Sequence, residues 1–318
     1  MRQFVERSSK PDWCAELETF VRATVNDCHN ATLFGSWATS EETLLLVNGQ
    51  YHVMSDIDVS YAGDDARMQQ LQTKVSEIVP YARIDHSDVF AFANASQTKQ
   101  RLIAPTQVLE AAIEKDEIAE AIAIRAFYSS LDIWSSARSL DFQGIIYSLV
   151  RLMAEIPLYF CWSTGLICGS YRTQLDIAID RTSITQHEAF DLVQHCVECK
   201  ISVIGTRQDI DERAAYQLLQ EYVRVFQSVI GALSLDRTRY GAVAFLLLDI
   251  LRASLTPDLN LVFENVELSW NHYGESVPDG RIRHAYLSKR ILKLGACSAT
   301  DPAPTHGPLN IDLLLMSA

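Results

Sequence analysis

Residues 31–61 read ATLFGSWATSEETLLLVNGQYHVMSDIDVSY, and the order of residue types in this stretch decides the fold. Ala31 to Phe34 is a short apolar strand candidate that ends in Gly35-Ser36. Thr43 to Val47 and Tyr51 to Met54 flank Asn48-Gly49. Both turn residues tolerate positive φ, so the run predicts two strands joined by a tight hairpin. Asp56 to Tyr61 then alternates carboxylate and apolar residues, as a strand with two distinct faces does.

Working outward, Asp12 to Asn26 predicts a helix, because Trp13, Leu17, Phe20, Val21 and Val25 recur at helical spacing. Asp64 to Val79 is helical, Pro80 ends it, and Tyr81 to Phe92 reads as the next strand. From Thr106 the pattern changes to long helical stretches: Thr106 to Trp134, Phe142 to Trp162, Ile184 to Val203, Asp209 to Leu233 and Gly241 to Ala253. Val262 to Leu294 follows neither period, and Cys297 to Pro308 is loop-like, rich in Pro, Ser, Thr and Gly. The expected organisation is an α+β domain over residues 1–105, a mixed sheet flanked by helices. An all-α helical bundle over 106–296 and a loop-like tail over 297–318 follow it.

The 318 residues are long enough for two domains. The formal charge of −13 is spread over both parts: residues 1–105 hold 9 Lys+Arg against 14 Asp+Glu, and the remainder holds 18 against 26. Neither part is basic, which argues against extended nucleic acid as a partner and for a small or protein substrate. Seven scattered cysteines and a polar N-terminus without a secretory pattern point to the cytoplasm and free thiols. The most apolar runs, Leu149 to Cys168 and Ala242 to Leu251, are short or interrupted by Arg151, Glu155 and Pro157. They read as buried helices rather than membrane spans.

The chemistry-bearing residues sit in the opening stretch. Gly35 lets the main chain approach phosphate oxygens with no Cβ in the way, and Ser36 adds a hydroxyl donor. Asp56 and Asp58 are two apart, so a strand projects both from one face, with Cα atoms about 7 Å apart. Two hard oxygen ligands at that spacing can converge on a metal pair, while Ile57 faces the core. Alone, Gly-Ser is a common turn dipeptide and the Asp pair reads equally as a solvated strand face. The joint order of helix, strand, Gly-Ser, hairpin, Asp-x-Asp strand, helix and carboxylate strand carries the reading.

That order resembles the polymerase-β-like nucleotidyltransferases, and Ser55-Asp56-Ile57-Asp58-Val59 is close to the spelling in their small-molecule and minimal members. The resemblance implies two Mg²⁺ ions on Asp56 and Asp58, with a third carboxylate from a later strand as metal ligand or base. Asp85 occupies that position and Asp88 is the fallback. It further implies ATP as donor, gripped by Gly35, Ser36 and Ser55. Nineteen residues separate Ser36 from Asp56, more than in compact relatives, and the hairpin absorbs them. Thr39-Ser40-Glu41-Glu42 lacks the glycine that many relatives place there.

A second similarity lies in the helical half. Leu149-Val150-Arg151, then Thr164-Gly165, then Gly169-Ser170-Tyr171-Arg172 resembles the C-terminal domain of aminoglycoside adenylyltransferases. There a Ser-Lys pair faces the triphosphate; here Arg172 stands nearest to that lysine, although arginine and lysine are not interchangeable. A helix C-cap at Gly165 beside a solvent-facing arginine is the equal alternative.

The implied activity is transfer of a nucleoside monophosphate, AMP from ATP, to a hydroxyl of a small molecule with release of pyrophosphate. Two alternatives keep the fold: the same transfer to a protein hydroxyl, as in nucleotidyltransferases paired with toxins, and a nucleotide-sensing module without turnover. His187, His195, Cys196 and Cys199 do not complete a tetrahedral zinc set. Cys161, Cys168, Trp134, Trp162 and Trp270 read as core, and Glu41 and Glu42 as loop charges.

Overall fold

The computed structural model describes residues 5–28, 31–47, 49–61, 65–79, 84–86, 108–138, 141–206 and 210–235. The N-terminal part opens with β1 (Val5–Ser8) and α1 (Trp13–Asn26). Leu17, Val21 and Val25 of α1 fall on one face at helical spacing, and all three are buried. β2 (Ala31–Phe34) runs into a four-residue helical turn, α2 (Gly35–Ala38), where a simple strand end was expected. β3 (Leu44–Val47) and β4 (Gln50–Val53) form the expected hairpin, with Gly49 at φ +77°. β5 (Ile57–Tyr61), α3 (Asp65–Ile78) and β6 (Ile84–His86) follow.

Two sheets result. β2, β5 and β6 lie side by side, β2 antiparallel and β6 parallel to β5. The second sheet has the order β1-β9-β3-β4 and is mixed, because β9 (Val203–Thr206) runs parallel to β3 and antiparallel to β1. Leu17, Val21, Trp37, Leu44, Ile57, Leu71, Val75 and Val203 share one apolar cluster between the helices and the sheets. The α+β reading stands for this part. β9 lies well beyond residue 105, so the sheet draws on both sides of the boundary expected there.

The later elements are mainly helical. The helix expected from Thr106 begins at α4 (Lys115–Arg138), while Leu109–Glu110 forms β7 against β8 (Leu166–Ile167). The Glu117 carboxylate accepts the Glu114 N–H at 3.0 Å, half of a capping box that fixes the start there. The stretch from Phe142 is two helices, α5 (Phe142–Ala154) and α6 (Ile156–Ser163), broken at Glu155. Pro157 lacks the N–H that a continuous helix requires and sits in the first turn of α6. By length and composition, Phe142–Ser163 is able to cross a membrane, with mean hydropathy 1.4, but 89% of that window is buried within the fold. It is a buried part of the core here.

α7 (Tyr171–Arg181) follows, capped by Ser170, whose Oγ accepts the Thr173 N–H at 3.2 Å. The stretch expected as one helix from Ile184 to Val203 divides into a 3-10 turn (Ile184–Gln186), α8 (Phe190–Lys200) and β9. α9 (Glu212–Gly231) begins at Asp211, whose carboxylate accepts the Ala214 N–H at 2.7 Å. Ile118, Ile122, Val150, Met153, Tyr159, Val193, Tyr222 and Phe226 pack into the second large core. The expectations for Gly241 to Ala253, Val262 to Leu294 and residues 297–318 lie outside the described residues.

Candidate active site

β2 ends at Phe34 in extended backbone, and Gly35 turns the chain with φ +69° into α2. A Cβ built on Gly35 would lie 2.1 Å from Asp58 Oδ2. No other residue fits, on sterics or on backbone conformation. Gly35 therefore serves the carboxylate as well as any phosphate, since its bare Cα lets Asp58 lie against the turn. The strand register agrees: Asp58 pairs with Phe34 on one side and with Asp85 on the other. Three strands thus bring the turn, Asp58 and the backbone position of Asp85 to one level.

Asp56 is exposed, Ile57 is fully buried and Asp58 is half-buried, the alternation expected of a two-faced strand. Trp37, buried within α2, donates its indole N–H to the Ser55 carbonyl at 3.2 Å, tying the turn to the residue before Asp56. The Ser55 hydroxyl is buried and accepts the Thr43 N–H at 2.8 Å. Ser55 is thus occupied within the fold. Ser36 is half-buried, and its carbonyl accepts the Glu41 N–H at 2.8 Å. Asp88 lies outside the described residues.

The helical half brings cations to the Asp56 side. Tyr147 of α5 donates its hydroxyl to the Met54 carbonyl at 3.0 Å, two residues before Asp56. Burial pushes its phenol up to about 12, so it stays a donor at neutral pH. One turn on, Arg151 is 3.9 Å from Asp132 of α4 and lies in the field of Asp56. Burial disfavours its charge, but Tyr147, Asp56, Asp132 and Glu155 outweigh burial and hold the guanidinium charged. Lys200, the last residue of α8, is buried. Its Nζ donates to Thr43 Oγ1 at 2.7 Å and lies 4.9 Å from the Tyr171 ring centroid. Burial first, then the Arg151 charge, pull the Lys200 amine down to about 8 against Asp56, Glu155 and Glu41. Among the described residues no carboxylate reaches Lys200 within ion-pair distance. Deeper in the cluster, Arg125 pairs with Glu155 at 2.5 Å, and Tyr159 donates to the same carboxylate at 3.3 Å. Lys200, which no carboxylate reaches within ion-pair distance among the described residues, and Arg151, held only at 3.9 Å by Asp132, make this side of Asp56 suited to an anion.

Sequence reasoning missed Lys200. A lysine ending a helix reads as an ordinary complement to the helix dipole. It also misjudged Glu41 and Glu42, which are buried rather than solvated loop charges. The Glu41 carboxylate accepts from Ser170 Oγ at 2.8 Å, from the Tyr171 N–H at 2.7 Å and from the Arg172 N–H at 3.0 Å. It fills the N-terminus of α7, where unpaired amides and the helix dipole favour an anion. Arg172 itself is exposed. Gly165 adopts φ +76° and donates its N–H to the Trp162 carbonyl at 3.0 Å, the helix-ending role read as one of its two alternatives. Glu42 pairs with Lys10, and its Oε2 has no partner among the described residues. Burial, working against Lys10, pushes the Glu42 carboxyl up to about 7.

No group of three or more metal-binding side chains occurs among the described residues. The donors present, Asp56 and Asp58 beside a bare glycine turn, fit a hard divalent cation with oxygen preference, and the backbone at Asp85 is at the right level for a third. His187 is engaged elsewhere, with Nε2 3.2 Å from Ser228 Oγ and Nδ1 accepting the Ala189 N–H. The chain matches no family model, and no curated protein or solved structure is significantly similar to it. The site therefore rests on its own geometry.

Proposed function

We propose that the chain is a polymerase-β-like nucleotidyltransferase that moves a nucleoside monophosphate, AMP from ATP, onto a hydroxyl of a small molecule and releases pyrophosphate. The observation that supports this reading is the level at which Gly35, Asp58 and the backbone of Asp85 meet across three strands, with Asp56 exposed just before β5. In this reading Asp56 and Asp58 hold two Mg²⁺ ions, and Asp85 completes the set as ligand or base. Bound there, magnesium supplies polarisation of the α-phosphate and a more acidic acceptor hydroxyl.

The chain's own residues do the rest. The Gly35 amide and Ser36 grip the triphosphate, and Arg151 and Lys200 offset its charge from the helical side, with Arg172 at the rim. The acceptor oxygen forms its bond to the α-phosphorus as the bond to the bridging β-oxygen breaks. The hydroxyl proton passes to a carboxylate, and the electron pair leaves with pyrophosphate. In this reading the helices α4 to α9 close the nucleotide site and shape the acceptor pocket. Free thiols at all six described cysteines suit a reducing cytoplasm.

The test is pyrophosphate release from Mg·ATP across a panel of polyol and aminoglycoside-like acceptors. The Asp56→Asn/Asp58→Asn double variant should release none above background. Wild-type turnover by that variant would sink the assignment.

A further inference from the structure

Residues 39–43 carry the chain from α2 to β3 in one short strap, and all five of its side chains are tied down, Ser40 by accepting from Arg22 at 3.2 Å. Thr39 Oγ1 donates to Glu41 Oε2 at 3.0 Å. Ser40 holds φ +60°, a left-handed conformation that a serine keeps only where its surroundings impose it. Glu41 binds back to the Ser36 carbonyl through its N–H and forward to the start of α7 through its carboxylate. Glu42 is anchored by Lys10. Thr43 makes the longest reach in sequence. Its N–H donates to Ser55 Oγ, its hydroxyl donates to the Lys200 carbonyl at 2.6 Å, and the same oxygen accepts from Lys200 Nζ at 2.7 Å.

The strap therefore touches the Gly35–Ser36 turn, the residue before Asp56, the start of α7 and the end of α8. We propose that it is a positioning device for the donor phosphates, with Glu41 setting the turn against the helical half and Thr43 setting the charge of Lys200. The inference rests on the nucleotidyl-transfer reading and adds two residues that the catalytic motif does not contain.

The two residues act differently. In the described structure, the Thr43 hydroxyl is the acceptor for the Lys200 ammonium, and an acceptor favours the charged form. The other charged or titratable groups around that amine are Arg151 of α5, Asp56 before β5, Glu155 between α5 and α6, Glu41 in the strap and Tyr171 of α7. With those fixed, removing the hydroxyl makes the amine lose its proton at a lower pH. Glu41 acts on geometry alone. Four donors converge on its two oxygens, and a glutamine there presents one acceptor oxygen and an NH₂ group that faces donors.

The experiment is titration calorimetry of the full chain with a non-hydrolysable Mg·ATP analogue over a pH series spanning the Lys200 ionisation near 8. Wild-type binding should weaken as the amine deprotonates. Thr43→Val should bind more weakly at neutral pH and lose binding at a lower pH, and Thr43→Ser should restore the wild-type profile. Glu41→Gln should weaken binding about tenfold without moving that profile, the size expected for a lost charge-assisted hydrogen bond. A Thr43→Val profile that coincides with wild type would overturn the inference. So would Thr43→Ser behaving like Thr43→Val, since that would reduce the residue to packing. Absence of analogue binding by the wild type is a separate result: it removes the nucleotide reading, and this inference with it.

Discussion

Replacing Lys200 by methionine should make the protein more stable and its nucleotide binding weaker. Lys200 is 3% exposed, and burial with the Arg151 charge takes its amine from an ordinary 10.5 to about 8. Each pH unit between those values is worth about 1.4 kcal/mol, so holding the amine charged at pH 7 costs on the order of 3 kcal/mol of folding free energy. The sign follows from proton binding. Between about 8 and 10.5 the unfolded chain holds the proton and the folded chain does not, so stability rises with pH across that window. Below it the cost is paid in full. Methionine keeps an unbranched chain of similar reach and forfeits the hydrogen bond to Thr43, about 1 kcal/mol, while its thioether takes the place of the ammonium over the Tyr171 ring. The Thr43 hydroxyl still donates to the main-chain carbonyl of residue 200. Lys200→Met should therefore gain about 2 kcal/mol at pH 7, and almost nothing near pH 10. Urea unfolding followed by tryptophan fluorescence at the two pH values measures both. A variant less stable than wild type at pH 7, or a difference independent of pH, would refute the reasoning. A buried charge kept at such a cost is expected where it serves binding rather than folding.

Three other outcomes follow from the same geometry. Gly35→Ala puts a Cβ 2.1 Å from Asp58 Oδ2 in a left-handed backbone. The conformation alone costs roughly 1–2 kcal/mol, and the displaced carboxylate should abolish Mg·ATP turnover, read as pyrophosphate release. Glu42 keeps its proton to about 7 when folded and loses it near 4.5 when unfolded. Wild-type stability should thus fall as pH rises from about 4.5 to 7, and Glu42→Gln should flatten that slope in urea unfolding curves. Asp141→Ala removes the carboxylate that accepts the Gly144 N–H at 2.9 Å at the start of α5, and should lower the unfolding free energy by about 1 kcal/mol with turnover unchanged.

The parts of the fold that were legible are those whose signal is local. Asp56-Ile57-Asp58 declares its two faces through period-two alternation, and Leu17, Val21 and Val25 declare theirs through period four. Asn48-Gly49 marks the hairpin by turn chemistry. Pro157 was visible as an interruption of an apolar run, but apolarity alone does not say whether a helix bends or stops there. β9 was absorbed into a helix, because Val203 to Thr206 is apolar like the helix before it. What makes it a strand is its pairing with β1 and β3, which no local window contains. The same holds for the site. The Asp pair and Gly35 announce themselves by spacing, whereas Lys200 and Glu41 acquire meaning only from partners more than a hundred residues away.

The placement of β9 also bears on how the chain is made. Thr43 and Lys200 are 157 residues apart, and β9 occupies an interior lane of the four-stranded sheet between β1 and β3. During synthesis both neighbouring edges wait, unpaired, until residue 206 has left the ribosome, and closing so long a loop slows the final step. A nascent chain stalled before α8 would expose two strand edges ready to pair with another copy, so premature termination should yield aggregates rather than a free-standing N-terminal domain.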